Sequence, residues 1–217
     1  TEVLSKGKMP DHRWFLGAEL NYTEHVFRKM TDSKPALLFQ SEDSAITEVT
    51  WRELYESVSS VADALRNMGV KAGDRVVAYM PNIPETVVAF LATASLGAIW
   101  SSCSPDFGGR SVIDRFKQIE PRVLFATDGY TYSGRKFDRR PVVAEIKQSL
   151  ESLEATIMLP NLYKAGESLE RSDEIMWQEI TKQRDGELLF EQVPFNHPMW
   201  IVYSSGTTGL PKALVQS

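Results

Sequence analysis

Cysteine and histidine are scarce in this sequence. The 217 residues include one cysteine and three histidines, spread along the chain without the short spacing of metal ligands. The single Cys103 excludes a disulfide within the chain and fits a reducing compartment. This composition strongly disfavours a structural zinc site. We interpret Cys103 as a small buried apolar residue, because no neighbouring histidine is available to activate it as a nucleophile.

Basic charge and long apolar runs are also in short supply. There are 24 Lys and Arg against 29 Asp and Glu, which gives a formal charge of -5. Such a chain lacks the clustered positive surface of a nucleic-acid binder and the basic block of a membrane anchor. The longest apolar stretch, 87–100, is too short to cross a bilayer. We expect no nucleic-acid partner, no membrane span and a cytoplasmic location.

Apolar strands alternate with amphipathic helices along the chain. The strands read as continuous apolar runs, which is typical of a parallel sheet covered by helices on both faces. The predicted strands are 75–80, a short strand and turn over 97–105, 122–128, 155–160 and 199–203. The predicted helices are 21–30, 51–69, 84–95, 109–121, 137–153 and a short one within 172–183. Residues 35–50 read as a hairpin that adds an edge, so the predicted fold class is α/β with a mostly parallel sheet.

Two helix starts carry specific capping signals. Thr50 followed by Glu53 is a capping box for the helix that begins at Trp51. Asn21 or Thr23 is expected to cap the short helix near the start of the chain.

The stretch YSSGTTGLPK, Tyr203 to Lys212, directly follows the last predicted strand. Its glycines, Gly206 and Gly209, allow the backbone to curl so that N–H groups point inward and bind an anion. Lys212 adds a positive charge, and hydroxyl donors come from Ser204, Ser205, Thr207 and Thr208. Ligands of parallel sheets bind beyond the carboxyl ends of strands. We predict a polyphosphate-binding loop; the alternative is a flexible hydrophilic turn.

Two familiar phosphate-handling motifs do not fit. The spacing G-T-T-G-L-P-K differs from GxxxxGK[ST], and Ala213 stands where a hydroxyl would ligate Mg²⁺, which disfavours a P-loop NTPase. The segment Ser104–Gly108, SPDFG, contains the kinase triplet, but the upstream kinase motifs are absent. We interpret SPDFG as a turn with Phe107 packed below it, and His197 as a structural residue.

YSSGTTGLPK resembles the signature (Y/F)(T/S)SG(T/S)TGxPK of the adenylate-forming enzymes, which include acyl-CoA synthetases and luciferases. The segment 50–100 is similar to the N-terminal subdomain of that family, and the resemblance extends over almost the whole chain from Trp14. It implies that 14–217 is the N-terminal portion of a large adenylation domain, preceded by a loose segment at 1–13. The catalytic residues and the acyl pocket are then expected C-terminal to Ser217, so the chain is predicted to be inactive alone.

The resemblance implies a two-step ligation of an acid to coenzyme A. The carboxylate attacks the α-phosphate of ATP, pyrophosphate leaves, and the CoA thiol then attacks the acyl adenylate. Mg²⁺ would bridge the phosphate oxygens, and the phosphate contacts would be Ser204, Ser205, Gly206, Thr207, Thr208, Gly209 and Lys212. The segments SPDFG and WFLGAELNY imply that the acid is acetoacetate. Acetate or propionate, and a truncated non-catalytic nucleotide-binding module, are the alternatives.

A second implied site concerns CoA. The motif R-x-G-R of the relatives aligns with Tyr132–Arg135. Arg135 matches and would pair with a CoA phosphate, whereas Tyr132 replaces the first arginine. The alternative for Arg135 is a solvated surface arginine.

Overall fold

Strands and helices alternate through most of the chain. A computed structural model describes residues 2–8, 12–42, 44–163, 173–182, 186–204 and 209–217. The helices are α1 (Tyr22–Phe27), α2 (Trp51–Asn67), α3 (Pro84–Ser95), α4 (Gly109–Phe116), α5 (Arg140–Ser149) and α6 (Trp177–Ile180). The strands are β1 (Glu2–Leu4), β2 (Trp14–Leu16), β3 (Glu19–Leu20), β4 (Leu37–Phe39), β5 (Thr47–Val49), β6 (Arg75–Tyr79), β7 (Ile99–Cys103), β8 (Val123–Thr127), β9 (Gly129–Tyr132), β10 (Arg135–Asp138), β11 (Ala155–Leu159), β12 (Ile175–Met176), β13 (Val193–Pro194), β14 (Trp200–Ser204) and β15 (Lys212–Gln216).

The main sheet has seven strands in the order β12-β11-β8-β6-β7-β14-β15. Neighbouring strands run parallel throughout, except that β15 is antiparallel to β14. The prediction of an α/β fold with a mostly parallel sheet is confirmed. The carboxyl ends of β6, β7, β8 and β14 therefore lie along one edge, where a parallel sheet usually binds its ligand.

Two separate cores explain why the strands are apolar on both faces. In β6, Val76 and Ala78 pack into the core formed with α2 and α3, while Val77 and Tyr79 pack into the core formed with α4 and α5. All four side chains are fully buried. A strand covered on both faces has no polar alternation, and this accounts for the continuous apolar runs of the sequence.

The predicted caps are present. The Thr50 hydroxyl accepts a hydrogen bond from the Glu53 N–H, while the Thr50 N–H donates to the Glu53 carboxylate at 2.8 Å. Asn21 caps α1: its side-chain oxygen accepts from the N–H groups of Thr23 and Glu24 at 3.0 and 3.3 Å. Thr23, the alternative cap, lies inside the helix.

Three predicted helices have different bounds in the structure, and the first, predicted at 21–30, ends at Phe27. The helix predicted at 109–121 ends at Phe116, because Glu120 precedes Pro121 and takes a positive φ of 48°. The Arg75 guanidinium donates to the freed carbonyls of Ile119 and Glu120. The helix predicted at 137–153 begins only at Arg140, because residues 137 and 138 pair with β9 instead.

Several short strands were not predicted. Residues 2–4, within the segment expected to be loose, pair antiparallel with β2. Hairpin β4–β5 is confirmed, but it forms a separate two-stranded sheet and not an edge of the main sheet. Within the described ranges, none of the helices combines the length and apolar character that a bilayer crossing needs. The division of the chain at residue 14 stays a prediction.

Candidate functional site

Strand β14 carries the stretch Tyr203–Lys212 to the carboxyl edge of the sheet. It lies between β7 and β15, and the Ser101 hydroxyl of β7 donates to the Ile201 carbonyl at 2.8 Å. Four of the predicted phosphate contacts, Ser205, Gly206, Thr207 and Thr208, lie outside the described residues. The residues on both sides, which end at Ser204 and resume at Gly209, are described.

The flanks are the facing ends of a two-stranded ladder. Ser204, the last residue of β14, is paired with Lys212, the first residue of β15. Gly209 has a φ of 132°, a conformation that glycine adopts without strain. The Lys212 side chain is exposed, and no carboxylate of the described residues forms an ion pair with it. Its ammonium is therefore available to an external anion.

Tyr203 anchors the first flank to helix α4. Its hydroxyl donates to the Arg115 carbonyl at 3.0 Å, and burial raises the pKa of the Tyr203 phenol to about 12. The Arg115 guanidinium lies over two rings, 5.0 Å from the centroid of Phe107 and 5.8 Å from that of Tyr203. This cation–π stack joins the SPDFG segment to the start of the loop.

SPDFG forms a turn, as predicted, held by Tyr79 at the end of β6. The Tyr79 oxygen lies 2.8 Å from the carbonyl oxygens of both Pro105 and Phe107, and burial raises the pKa of this phenol to about 12. The Phe107 N–H also donates to the Ser104 carbonyl. Phe107 was expected to pack below the turn; instead it is 39% exposed at the surface, where the Arg115 guanidinium lies over its ring.

Tyr132 and Arg135 lie in hairpin β9–β10, which the sequence analysis did not anticipate. They are paired across a two-residue turn in which Ser133 and Gly134 have φ angles of 52° and 69°. A Ser-Gly pair between alternating segments is a signal for this kind of turn. Both side chains are exposed. The structure brings Tyr132 and Arg135 together. Their hairpin is a separate two-stranded sheet, whereas β14 and β15 belong to the main sheet.

A carboxylate occupies the donors of that turn. Glu42 accepts hydrogen bonds from the N–H groups of Ser133 and Gly134, at 2.9 and 3.1 Å. These two bonds lower the pKa of the Glu42 carboxyl. The turn is thus already shown to bind a negatively charged group, next to Arg135.

Further functional candidates at the end of β8 were missed from the sequence. Asp128 is buried, and its carboxylate accepts from the N–H groups of Asn161, Leu162 and Tyr163, so it orders the loop after β11. The Thr127 hydroxyl and Nε of Arg139 are buried, and neither has a hydrogen-bond partner among the residues that the structure describes. Arg139 also lies over the Tyr130 ring at 5.3 Å. The arginine-rich run GRKFDRR after a buried strand was the available signal.

The remaining candidates behave as structural residues. Burial raises the pKa of the Cys103 thiol to about 12, which keeps it protonated at neutral pH and supports its interpretation as a small buried residue. The His197 ring nitrogen lies 2.7 Å from the Gly97 carbonyl oxygen, at the amino end of the strands. The described residues contain no cluster of three or more His, Cys, Asp or Glu able to hold a metal ion.

Comparison with known proteins relates this arrangement to one family. A family model described as AMP-binding enzyme matches residues 24–217. The chain is 45% identical to an acetoacetyl-coenzyme A synthetase of Rhizobium meliloti, over 97% of this chain and 32% of that protein. It is 40% identical to an acetoacetyl-CoA synthetase of Rattus norvegicus, over 98% of this chain and 33% of that protein.

A solved structure gives the same result in three dimensions. The acetoacetyl-CoA synthetase from Streptomyces lividans superposes with a TM-score of 0.93 at 51% identity, covering 99% of this chain and 33% of that one. The chain thus spans about a third of the length of these relatives. With a family model matched from residue 24 to residue 217, the chain belongs to the family of AMP-binding enzymes.

Proposed function

We propose that this chain forms the phosphate-binding third of an AMP-forming acid–thiol ligase that joins acetoacetate to coenzyme A. The observation that carries the proposal is the 40 to 51% identity with acetoacetyl-CoA synthetases over nearly all of the chain. In the reaction, the acetoacetate carboxylate attacks the α-phosphate of ATP and pyrophosphate leaves. The CoA thiol then attacks the carbonyl of acetoacetyl-AMP, and AMP leaves.

The stretch Tyr203–Lys212 is the proposed site of the ATP β- and γ-phosphates. Lys212 has an exposed ammonium without a described carboxylate partner, so it can offset charge that develops on the pyrophosphate leaving group. Ser204 and Gly209, on the two sides of residues 205–208, lie at the edge where parallel sheets bind ligands. The other proposed phosphate contacts are Ser205, Gly206, Thr207 and Thr208, on the evidence of the sequence.

Mg²⁺ is a further part of the proposal, and it would neutralise phosphate charge. Since the described residues offer no acidic cluster for a metal ion, its protein ligands are expected outside them. The same holds for the catalytic residues and the acyl pocket, so we predict that this chain alone is inactive. A cytoplasmic location also stays a prediction.

Hairpin β9–β10 is the proposed contact for a CoA phosphate. Arg135 is exposed, and because Glu42 already takes the two N–H groups of the neighbouring turn, the guanidinium is the donor on which this proposal rests. Arginine pairs strongly with phosphate, while Tyr132 offers a ring and one hydroxyl in place of a second cation.

The function is tested by ATP-dependent pyrophosphate release. The assay uses a protein of the relatives' length that contains this chain, with acetoacetate, acetate and propionate in parallel. We expect a clear preference for acetoacetate and a loss of at least tenfold in kcat/KM for ATP with Lys212→Ala. Lys71→Ala, an exposed lysine at the opposite edge of the sheet, is the matched control. A preference for acetate or propionate would mean that this acid, and not acetoacetate, is the substrate. No pyrophosphate release with any acid would favour a non-catalytic nucleotide-binding module.

A further inference from the structure

Gln118 connects the end of helix α4 to the second flank of the loop. Its side-chain N–H₂ donates to the Pro211 carbonyl at 2.9 Å and to the Asp114 carbonyl at 2.7 Å. The Pro211 carbonyl belongs to the peptide group that leads into Lys212. Gln118 therefore holds the orientation of the peptide plane that carries the lysine.

The same end of α4 also holds the first flank. The Arg115 carbonyl accepts the hydrogen bond of the Tyr203 hydroxyl, so residues 115 and 118 contact opposite sides of the loop. This segment is a firm support because Phe116 and Ile119, on either side of Gln118, are buried in the second core. Its position is thus set by the packing of the sheet.

Lys212 needs such support more than most residues of the sheet. In the described part of the sheet, β15 is the terminal strand and pairs only with β14. The lysine side chain is long, exposed and flexible, so the direction of its backbone sets the region that its ammonium can reach. Hydrogen bonds that hold a charged group in the productive orientation contribute to catalysis through preorganisation.

We propose that Gln118 is a positioning residue for ATP, acting through the Pro211–Lys212 peptide group. The inference rests on the proposed function, because it assumes that Lys212 contacts phosphate. Gln118 itself makes no contact with the nucleotide. Its amide orients the lysine, and the lysine binds the anion.

The test uses Gln118→Ala and Gln118→Glu in the protein of the relatives' length. Glutamate keeps the size of the side chain but replaces the donor with an oxygen that repels the Pro211 carbonyl. We expect either variant to raise KM for ATP about fivefold, the effect of one net hydrogen bond, with KM for acetoacetate and for CoA unchanged. Gln148→Ala is the matched control, since Gln148 is exposed on α5 and makes no side-chain hydrogen bond within the described ranges.

A double-mutant cycle with Lys212→Ala separates positioning from general structural damage. If Gln118 acts through Lys212, substituting it in the Lys212→Ala background changes KM for ATP by less than twofold. Equal effects in both backgrounds, or a parallel rise in all three KM values, would overturn the inference. An unchanged KM for ATP in both Gln118 variants, beside an impaired Lys212→Ala, would overturn it and leave the proposed function intact. Absence of pyrophosphate release in the unsubstituted protein would instead refute the function itself.

Discussion

Replacing Asn21 by aspartate separates two roles of one buried side chain. Asn21 is 1% exposed, and its oxygen caps α1. Its N–H₂ group lies within hydrogen-bond distance of three carbonyl oxygens, those of Ala94, Ser95 and Glu191, at 2.9, 3.1 and 2.8 Å. The side chain thus joins α1 to the end of α3 and to the segment before β13. Aspartate keeps the cap, which it forms as well as asparagine does, but loses both donor hydrogens.

The expected cost follows from this geometry. Two lost hydrogen bonds cost about 1 kcal/mol each, and facing a carboxylate oxygen toward three carbonyls costs at least about 1 kcal/mol more. Asn21→Asp should therefore lower the free energy of local opening of α1 and α3 by about 3 kcal/mol, a factor of roughly one hundred in the opening equilibrium. Asn21→Ala should cost about as much. Alanine avoids the repulsion between oxygens, but it loses the helix cap as well as the two hydrogen bonds.

Hydrogen exchange of the α1 and α3 amides, read by mass spectrometry, measures this opening directly. The control is Asn67→Asp, at the exposed end of α2. Exchange of α1 and α3 that stays at the rate of the unsubstituted protein in Asn21→Asp would refute the reasoning. It would mean that the cap alone accounts for the role of Asn21.

Two further predictions concern buried ionisable groups. Burial raises the pKa of the Cys103 thiol to about 12. The thiol should therefore resist iodoacetamide at pH 8 in the folded protein and react within minutes in denaturant. Rapid labelling under native conditions would contradict its burial. Tyr79 has a folded pKa raised from 10.0 to about 12, so its neutral phenol contributes stability that is present below pH 10 and is lost as pH rises toward 12. An absorbance titration at alkaline pH should therefore show a late phenolate step from Tyr79 and Tyr203, reduced to about half its amplitude in Tyr79→Phe; titration of all tyrosines near pH 10 would rule this out.

Local patterns in the sequence predicted most of the elements. The apolar runs of β6 and β8 reflect burial on both faces, and the pair Thr50 and Glu53 marks the start of α2, because capping depends only on residues three apart. Hairpin β9–β10 was missed although its Ser-Gly turn is a local signal. The end of α4 was placed too late: the chain leaves the helix at Phe116 ahead of Pro121, and Arg75 from another strand binds the freed carbonyls of Ile119 and Glu120.

The anion-binding stretch was predicted from its composition, but the contacts that hold its two flanks were not predicted. Glycine, hydroxyl and lysine residues after a buried strand indicate anion binding through their own chemistry. The contacts that hold the flanks join residues far apart along the chain: 88 positions separate Arg115 from Tyr203, and 93 separate Gln118 from Pro211. No short-range pattern encodes such pairs.

What the residues determine without reference to the fold is therefore local: the apolar strands of the main sheet, the helices that follow them, the capped starts of α1 and α2, and a segment whose composition predicts donors and charge for a polyphosphate. These properties depend on neighbours within a few positions. The tertiary structure decides the rest. It sets the order of strands, with β14 beside β7 across 100 residues of sequence, the burial that raises the pKa values of Tyr79 and Cys103, and the placement of Gln118 against Pro211. These depend on how two helical layers pack against one sheet, and that packing is a property of the whole chain.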